Sequence, residues 1–139
     1  MLLKDFYKAV HSEMLNPTMT KSVSYFTPRK SRVSRWPSVV HFGLQAFIKT
    51  WLIDEFNKNF FEKSEEEVVN EYKRVLDNTM GKDIYDINKI ANLHKLGHLP
   101  IEIVGVPEGT LVPMHCPAFG ITNTDPHFAW LPQALESLI

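Results

Sequence analysis

The apolar residues change their spacing close to Gly97, and this change constrains the fold more than any other feature of the sequence. Over residues 64–96 they recur every three or four positions, which is the spacing of amphipathic helices. Over residues 99–122 the sequence is instead rich in β-forming residues, interrupted by the turn residues 107–109. The two patterns together predict an α+β fold, in which an antiparallel, β-rich domain is flanked by helices.

Three helices are predicted in the middle of the chain. The first extends from Ser38, as its N-cap residue, to about Asp54. The second follows a capping box at residues 64–67, in which the serine hydroxyl and the Glu67 carboxylate each satisfy an end amide. The third extends over residues 84–96 and stops at Gly97. The residues expected to face inward are Val40, Leu44, Phe47 and Trp51 in the first helix, Val68, Tyr72, Val75 and Leu76 in the second, and Ile87, Ile90 and Ala91 in the third.

The two ends of the chain carry further elements. Residues 2–15 are interpreted as a short helix or an irregular arm, and residues 22–26 alternate in a way that predicts a strand with one apolar face. Near the other end, Asp125 is suited to cap a final helix and Pro126 to occupy its first position. Because this helix is strongly apolar, we expect Pro132 to kink it and its apolar side to need a partner surface.

Composition excludes several classes of protein. The chain has 139 residues, of which 44% are hydrophobic and 22% charged, so we predict a single globular domain over residues 1–139. A net charge of −1 argues against binding of polyanions over the whole surface. The single cysteine forms no internal disulfide, which favours a reducing cytoplasm. No signal peptide or membrane-spanning run is indicated, so a soluble cytoplasmic protein is predicted.

A metal site and a cysteine nucleophile are both poorly supported by the sequence. His115 and Cys116 are adjacent, and neighbours on a strand point to opposite faces. There is no C-x-x-C spacing, so no metal site is predicted, and no local base is available to activate the thiol. We interpret Cys116 as a partly buried structural thiol.

The loop of residues 27–37 is strongly basic, with four cations within seven residues and Trp36 directly after them. An exposed loop is the simplest interpretation. Anion binding is the functional alternative, because the planar guanidinium group of arginine contacts phosphate oxygens at two points. Nucleic-acid binding is a third interpretation, although the remaining chain offers no basic face to extend such a site. The four cations are Arg29, Lys30, Arg32 and Arg35.

Several short motifs occur in a fixed order over nearly the whole chain. The most specific is GHLPIEIVGVPEG at residues 97–109, followed by NTDP at residues 123–126 and by Trp130. Three more lie upstream: D-F-Y-K-x-x-H at residues 5–11, SYF-x-x-R at residues 24–29 and FGLQ at residues 42–45. Taken together they resemble the N-terminal part of the nicotinamide phosphoribosyltransferase family.

This resemblance implies a fold and a reaction. Members of the family are cytoplasmic type II phosphoribosyltransferases with an irregular α/β barrel and a second, mostly antiparallel β domain to which N-terminal segments contribute. They join nicotinamide to 5-phosphoribosyl 1-pyrophosphate, giving nicotinamide mononucleotide and pyrophosphate for NAD biosynthesis, and Mg²⁺ neutralises the leaving pyrophosphate. The barrel carries most of the catalytic groups, so no catalytic residue is assigned here. The expected partners are the barrel portion and the second subunit of a homodimer.

Three residues match substrate-binding positions of the family. Tyr7 matches a tyrosine that stacks on the pyridine ring from across the dimer interface, and Asp5 matches an acid of the same pocket. Arg29 matches an arginine that contacts the phosphates of the donor. Lys8 and His11 are assigned only supporting roles. The chain is therefore expected to supply part of a substrate site; the alternative is a non-catalytic, stand-alone binding or regulatory module derived from this domain.

Overall fold

The computed structural model describes residue 2, residues 5–33 and residues 35–139. The helices are α1 (Lys8–His11), α2 (Leu44–Phe47), which continues through the π-helical stretches Ile48–Glu55 and Asn57–Phe61, α3 (Glu65–Thr79), α4 (Asn88–Leu96) and α5 (Leu131–Leu135). The strands are β1 (Val23–Phe26), β2 (Ser38–Val40), β3 (Ile101–Gly105), β4 (Leu111–Pro113) and β5 (Phe119–Asn123). These helices and antiparallel sheets confirm the predicted α+β class.

The larger sheet has three antiparallel strands in the order β1-β5-β3, so β5 lies at its centre. Ile121 of β5 pairs with Ser24 of β1 on one side and with Ile103 of β3 on the other. Helix α5 packs against β1 and β5. The smaller sheet pairs β2 with β4. This arrangement brings β1, β5 and the end of α5 together at the cleft that forms the candidate site.

The strand predicted at residues 22–26 is confirmed as β1, but its apolar face is not the buried one. Val23 and Tyr25 are exposed, whereas Ser24 is half-buried. The reason is that the Ser24 hydroxyl donates a hydrogen bond to the Glu136 carboxylate, directly after α5. Since neighbouring strand residues point to opposite faces, Val23 and Tyr25 must then face away from α5.

The prediction of a helix from Ser38 to Asp54 is wrong at both ends. Residues Ser38–Val40 form β2, because two consecutive β-branched valines favour a strand that pairs with β4. The helix begins after Gly43, whose φ of 91° is readily adopted only by glycine, and continues to Phe61. The predicted inward stripe is wrong for Val40 and Trp51, which are exposed, whereas Leu44 and Phe47 are half-buried. The buried side chains of the helix are Leu52, Phe56 and Phe60, displaced by its π-helical geometry.

The second and third predicted helices are found as α3 and α4. The Ser64 hydroxyl accepts a hydrogen bond from the Glu67 amide at 3.2 Å, which confirms the N-cap. The reciprocal half of the capping box is absent from the described contacts, because the Glu67 carboxylate pairs with Lys63 instead. Helix α4 begins later than predicted, since the Asp86 carboxylate accepts the Asn88 amide at 2.9 Å and forms a turn there. It ends at Gly97, as predicted.

The last helical segment corrects two further predictions. The Asp125 carboxylate caps a 3-10 turn, Pro126–Phe128, as expected. Pro132, however, lies in the first turn of α5, where its missing amide breaks no helical hydrogen bond, so it does not kink the helix. The apolar side chains of this segment are buried in the core of the chain itself, so the predicted need for a partner surface is wrong. They include Phe128, Trp130, Leu131 and Leu135.

The main core lies between the helices, and its fully buried members include Leu76, Leu93, Leu131 and Leu135. A buried polar group, the Asn123 side chain, holds the segment that precedes β1 against β5. The Asn123 side-chain oxygen accepts the Ser22 amide at 2.8 Å, and its nitrogen donates to the Thr20 and Asp125 carbonyls. These bonds fix the entry of β1 relative to β5. No helix in the described part of the chain is long and apolar enough to cross a lipid bilayer.

Candidate functional site

A cleft of about 370 Å³ brings together residues from distant parts of the chain. Asp5 and Tyr7 line it from the amino-terminal arm, which we define as residues 5–11, and Arg29 lines it from the basic loop. The other walls come from β1, from β5 and from the residues that follow α5. All three sequence-predicted site residues therefore lie at one cleft. What each of them binds remains a prediction.

Tyr7 offers an accessible aromatic ring at this cleft. It is the N-cap residue of α1, and the residue is 51% exposed. The Tyr7 ring makes an edge-to-face contact with the His11 ring, with ring centroids 4.8 Å apart and ring planes at 64°. The Nζ atom of Lys8 lies 5.4 Å from the centroid of the Tyr7 ring. A ring supported in this way and open to solvent can stack on a flat ligand.

The amino-terminal arm is held by charged and polar contacts with the opposite end of the chain. Lys8 is buried, and its ammonium group forms an ion pair with the Glu136 carboxylate. The second oxygen of Glu136 accepts the Ser24 hydroxyl at 2.6 Å. Burial opposes ionisation of Glu136, but the hydrogen bonds from Lys8 and Ser24 outweigh it and lower the pKa of the carboxyl group. In addition, the Asp5 amide donates to the Ser137 hydroxyl at 3.4 Å.

Arg29 stands at the junction of two open clefts. It is exposed and follows the buried Pro28, whose carbonyl accepts the His115 amide at 2.8 Å. His115 has a φ of 67° and, with Arg29, lines the second, wider cleft. No salt bridge to Arg29 occurs among the residues that the structure describes. Its guanidinium group is therefore available to an anionic ligand.

The structure corrects one expectation about the possible metal ligands. It also shows the surroundings of a histidine pair that the sequence reasoning missed. Cys116 is exposed, not partly buried. His94 and His98 are four residues apart, a spacing that helical metal sites use, but the helix ends between them at Gly97. The Nε2 atom of His94 instead lies 2.9 Å from the Lys63 carbonyl oxygen. Within the described ranges, no group of three or more acidic, histidine or cysteine side chains is placed to hold a metal ion.

The fold and the cleft define an α+β domain whose two ends meet at an aromatic and charged site. Residues 1–103 match the family model described as nicotinamide phosphoribosyltransferase, N-terminal domain. The chain belongs to this family. The resemblance inferred from its short motifs is thereby confirmed.

Two curated relatives carry the name nicotinamide phosphoribosyltransferase. The protein of Acinetobacter baylyi is 36% identical over 140 residues, a match that covers 97% of this chain and 28% of the relative. The protein of Xanthomonas campestris pv. campestris is 29% identical over 140 residues, covering 100% of this chain and 27% of the relative. The chain thus spans little more than a quarter of the length of the relatives it matches.

Proposed function

We propose that this chain forms the N-terminal, substrate-contacting part of an enzyme that joins nicotinamide to 5-phosphoribosyl 1-pyrophosphate, with pyrophosphate as the leaving group. The observation that carries the proposal is the convergence of Asp5, Tyr7 and Arg29 on one cleft. Family membership and the names of the two relatives support the reaction. The product is nicotinamide mononucleotide, an intermediate of NAD salvage.

Tyr7 and Asp5 suit the pyridine ring of nicotinamide. The ring is flat and electron-poor, so it gains from offset stacking on the exposed face of Tyr7. As the ring nitrogen bonds to the ribose it acquires positive charge, which strengthens attraction to an aromatic face and to the Asp5 carboxylate. These interactions grow toward the transition state, so they lower the barrier as well as bind the substrate.

Arg29 suits the phosphates of the donor. Its guanidinium group has no ion pair among the described side chains, and it is exposed at the mouth of both clefts. Two parallel N–H donors match two phosphate oxygens, which orients the donor as well as binding it. The pyridine contacts and the phosphate contact lie along one cleft, as a reaction between the two substrates requires.

The Mg²⁺ ion expected with the donor does not fit a site made by the described residues alone. Asp5 and Glu136 are the carboxylates of the cleft, and Glu136 is already bound by Lys8 and Ser24. Magnesium is therefore proposed to enter on the pyrophosphate itself. The remaining catalytic groups are proposed to come from a barrel portion and from a second subunit, which the exposed Tyr7 ring is free to contact.

The alternative is a stand-alone binding or regulatory module that docks through its final helix or captures a phosphorylated ligand, and burial of the final helix speaks against the first of these two routes only. Leu131 and Leu135 of that helix are buried in the core of the chain, so they offer no docking surface.

A chimera tests the proposed function. In it, this chain replaces the matching 140 residues of the Acinetobacter baylyi relative, and formation of nicotinamide mononucleotide is measured. We expect activity in the chimera, and a decrease in kcat/KM of about tenfold for Tyr7→Ala, the loss of one favourable aromatic stacking contact. The control is Phe42→Ala, which removes an aromatic ring that is 80% exposed and lies outside the cleft. A folded but inactive chimera, or equal activity in both variants, would show the proposal to be wrong.

A further inference from the structure

We propose that Lys8 is a positioning residue: together with Ser24 and Glu136 it fixes Tyr7 and Asp5 in the orientation that binds the pyridine ring. We call these three residues the Lys8 cluster. The roles of Tyr7 and Asp5 in this inference rest on the proposed function. The contacts of the Lys8 cluster do not, so the two ideas are separable by experiment.

The Lys8 cluster connects three elements through one carboxylate. Lys8 is a charged residue that is only 7% exposed, and its ammonium group contacts one oxygen of Glu136. The other oxygen of Glu136 accepts the hydroxyl of Ser24 at 2.6 Å. Helix α1, strand β1 and the residue after α5 are thereby joined. Burying a lysine is unfavourable unless its charge is paired, so the position of Lys8 is tightly specified.

Helix α1 depends on such contacts because it has only four residues. A helix of this length is not stable on its own, so its conformation is set by what it packs against. Ala9 is buried in the main core, and the Asp5 amide donates to the Ser137 hydroxyl at 3.4 Å. Lys8 lies between these two contacts and directly after Tyr7. The Lys8 cluster is therefore the polar contact best placed to fix the Tyr7 backbone.

The same side chain also contacts the ring that it positions. The Nζ atom of Lys8 lies 5.4 Å from the centroid of the Tyr7 ring. Tyr7 nevertheless stays 51% exposed and lines the cleft, so this contact leaves part of the residue accessible to a ligand. Arg29, by contrast, belongs to a separate loop, and the preceding Pro28 is bonded through its carbonyl to the His115 amide.

This difference gives the proposal a kinetic test. Loss of the Lys8 cluster should disorder Tyr7 and Asp5 and so raise the KM for nicotinamide. It should leave the KM for 5-phosphoribosyl 1-pyrophosphate nearly unchanged, because the segment that carries Arg29 is held by the Phe26 and Pro28 carbonyls, which accept the Ala118 and His115 amides. A residue with only a structural role would lower kcat by reducing the folded fraction and would change neither KM.

The experiment has two arms. In the isolated 139-residue chain, Lys8→Met should increase amide hydrogen exchange at residues 8–10, whose amides bond to the carbonyls of residues 5–7, by at least about tenfold. In the chimera, it should raise the KM for nicotinamide about fivefold to tenfold. The double variant Lys8→Glu/Glu136→Lys, which restores an ion pair, should recover part of both effects. The control is Lys73→Met, which removes an exposed lysine that is paired with Asp77 and does not line the cleft, and it should change neither readout.

The outcomes separate the two ideas. Unchanged exchange in Lys8→Met, or faster exchange with an unchanged KM for nicotinamide, would overturn the positioning role. A chimera without activity would contradict the proposed function. The hydrogen-exchange measurement on the isolated chain would still decide whether the Lys8 cluster orders the amino-terminal arm. If Lys8→Met does not fold, Ser24→Ala removes a single hydrogen bond of the cluster and should shift both readouts in the same direction by a smaller factor.

Discussion

Truncation of Leu135 to alanine measures how much the final helix contributes to the core of the chain. Leu135 is 1% exposed and belongs to the main hydrophobic cluster. Replacing a fully buried leucine by alanine removes three carbon atoms and leaves a cavity, which costs roughly 2–5 kcal/mol. Because its neighbours Leu131 and Ala134 are also buried on the same short helix, the site cannot easily collapse. We expect a loss of about 3 kcal/mol in the free energy of unfolding and of about 10 °C in Tm.

The matched control is Leu111→Ala, which deletes the same atoms from a residue of β4 that is 66% exposed. It should change the free energy of unfolding by about 0.5 kcal/mol or less. Urea unfolding of both variants, followed by circular dichroism, gives the comparison directly. Equal small effects of Leu135→Ala and Leu111→Ala would refute the reasoning, because α5 would then not be part of the core.

Two further predictions concern local contacts. Ser64→Ala removes the N-cap of α3 and should lower the free energy of unfolding by about 1 kcal/mol, measured by thermal melting, and Ser64→Asp should restore it. The second concerns pH: since the folded chain lowers the pKa of Glu136, the unfolded chain binds a proton at higher pH. The stability from Glu136 is therefore complete above its ordinary pKa of 4.5 and is lost as pH falls through the folded pKa. The charged groups near this carboxylate are Lys8 and His11. Urea unfolding between neutral pH and about pH 3 should show a smaller loss of unfolding free energy for Glu136→Gln than for the unmodified chain. Equal losses in the two proteins would contradict this prediction.

Local signals in the sequence predicted local structure well. The Ser64 cap and the Gly97 stop depend on a few adjacent residues, and both were found. The helix start at Ser38 and the need of the final helix for a partner surface were predicted wrongly, because both depend on distant parts of the chain. Ser38 joins a strand that exists only by pairing with β4, and α5 is buried by helices that lie far away in the sequence. Periodicity carries no information on such pairings.

For the candidate site, too, the sequence indicated local motifs but not the tertiary contacts that bring them together. Asp5, Tyr7 and Arg29 were proposed from family motifs, since nothing in their own spacing indicated a shared cleft. Their meeting depends on β1 and on the contact between α1 and the end of α5, which are tertiary features. The positioning role that we propose for Lys8 was not predicted for the same reason. Its place in the D-F-Y-K motif was visible, but its burial against Glu136 was not.

The central claim is that one cleft holds a pyridine contact at Tyr7 and a separate phosphate contact at Arg29. Its most direct test is the KM of the chimera for each substrate in Tyr7→Ala and in Arg29→Ala. We predict that Tyr7→Ala raises the KM for nicotinamide about fivefold to tenfold with little change for the donor. Arg29→Ala should do the opposite, raising the KM for 5-phosphoribosyl 1-pyrophosphate by about tenfold or more. Equal effects of both variants on both substrates, or no effect of either, would contradict the account.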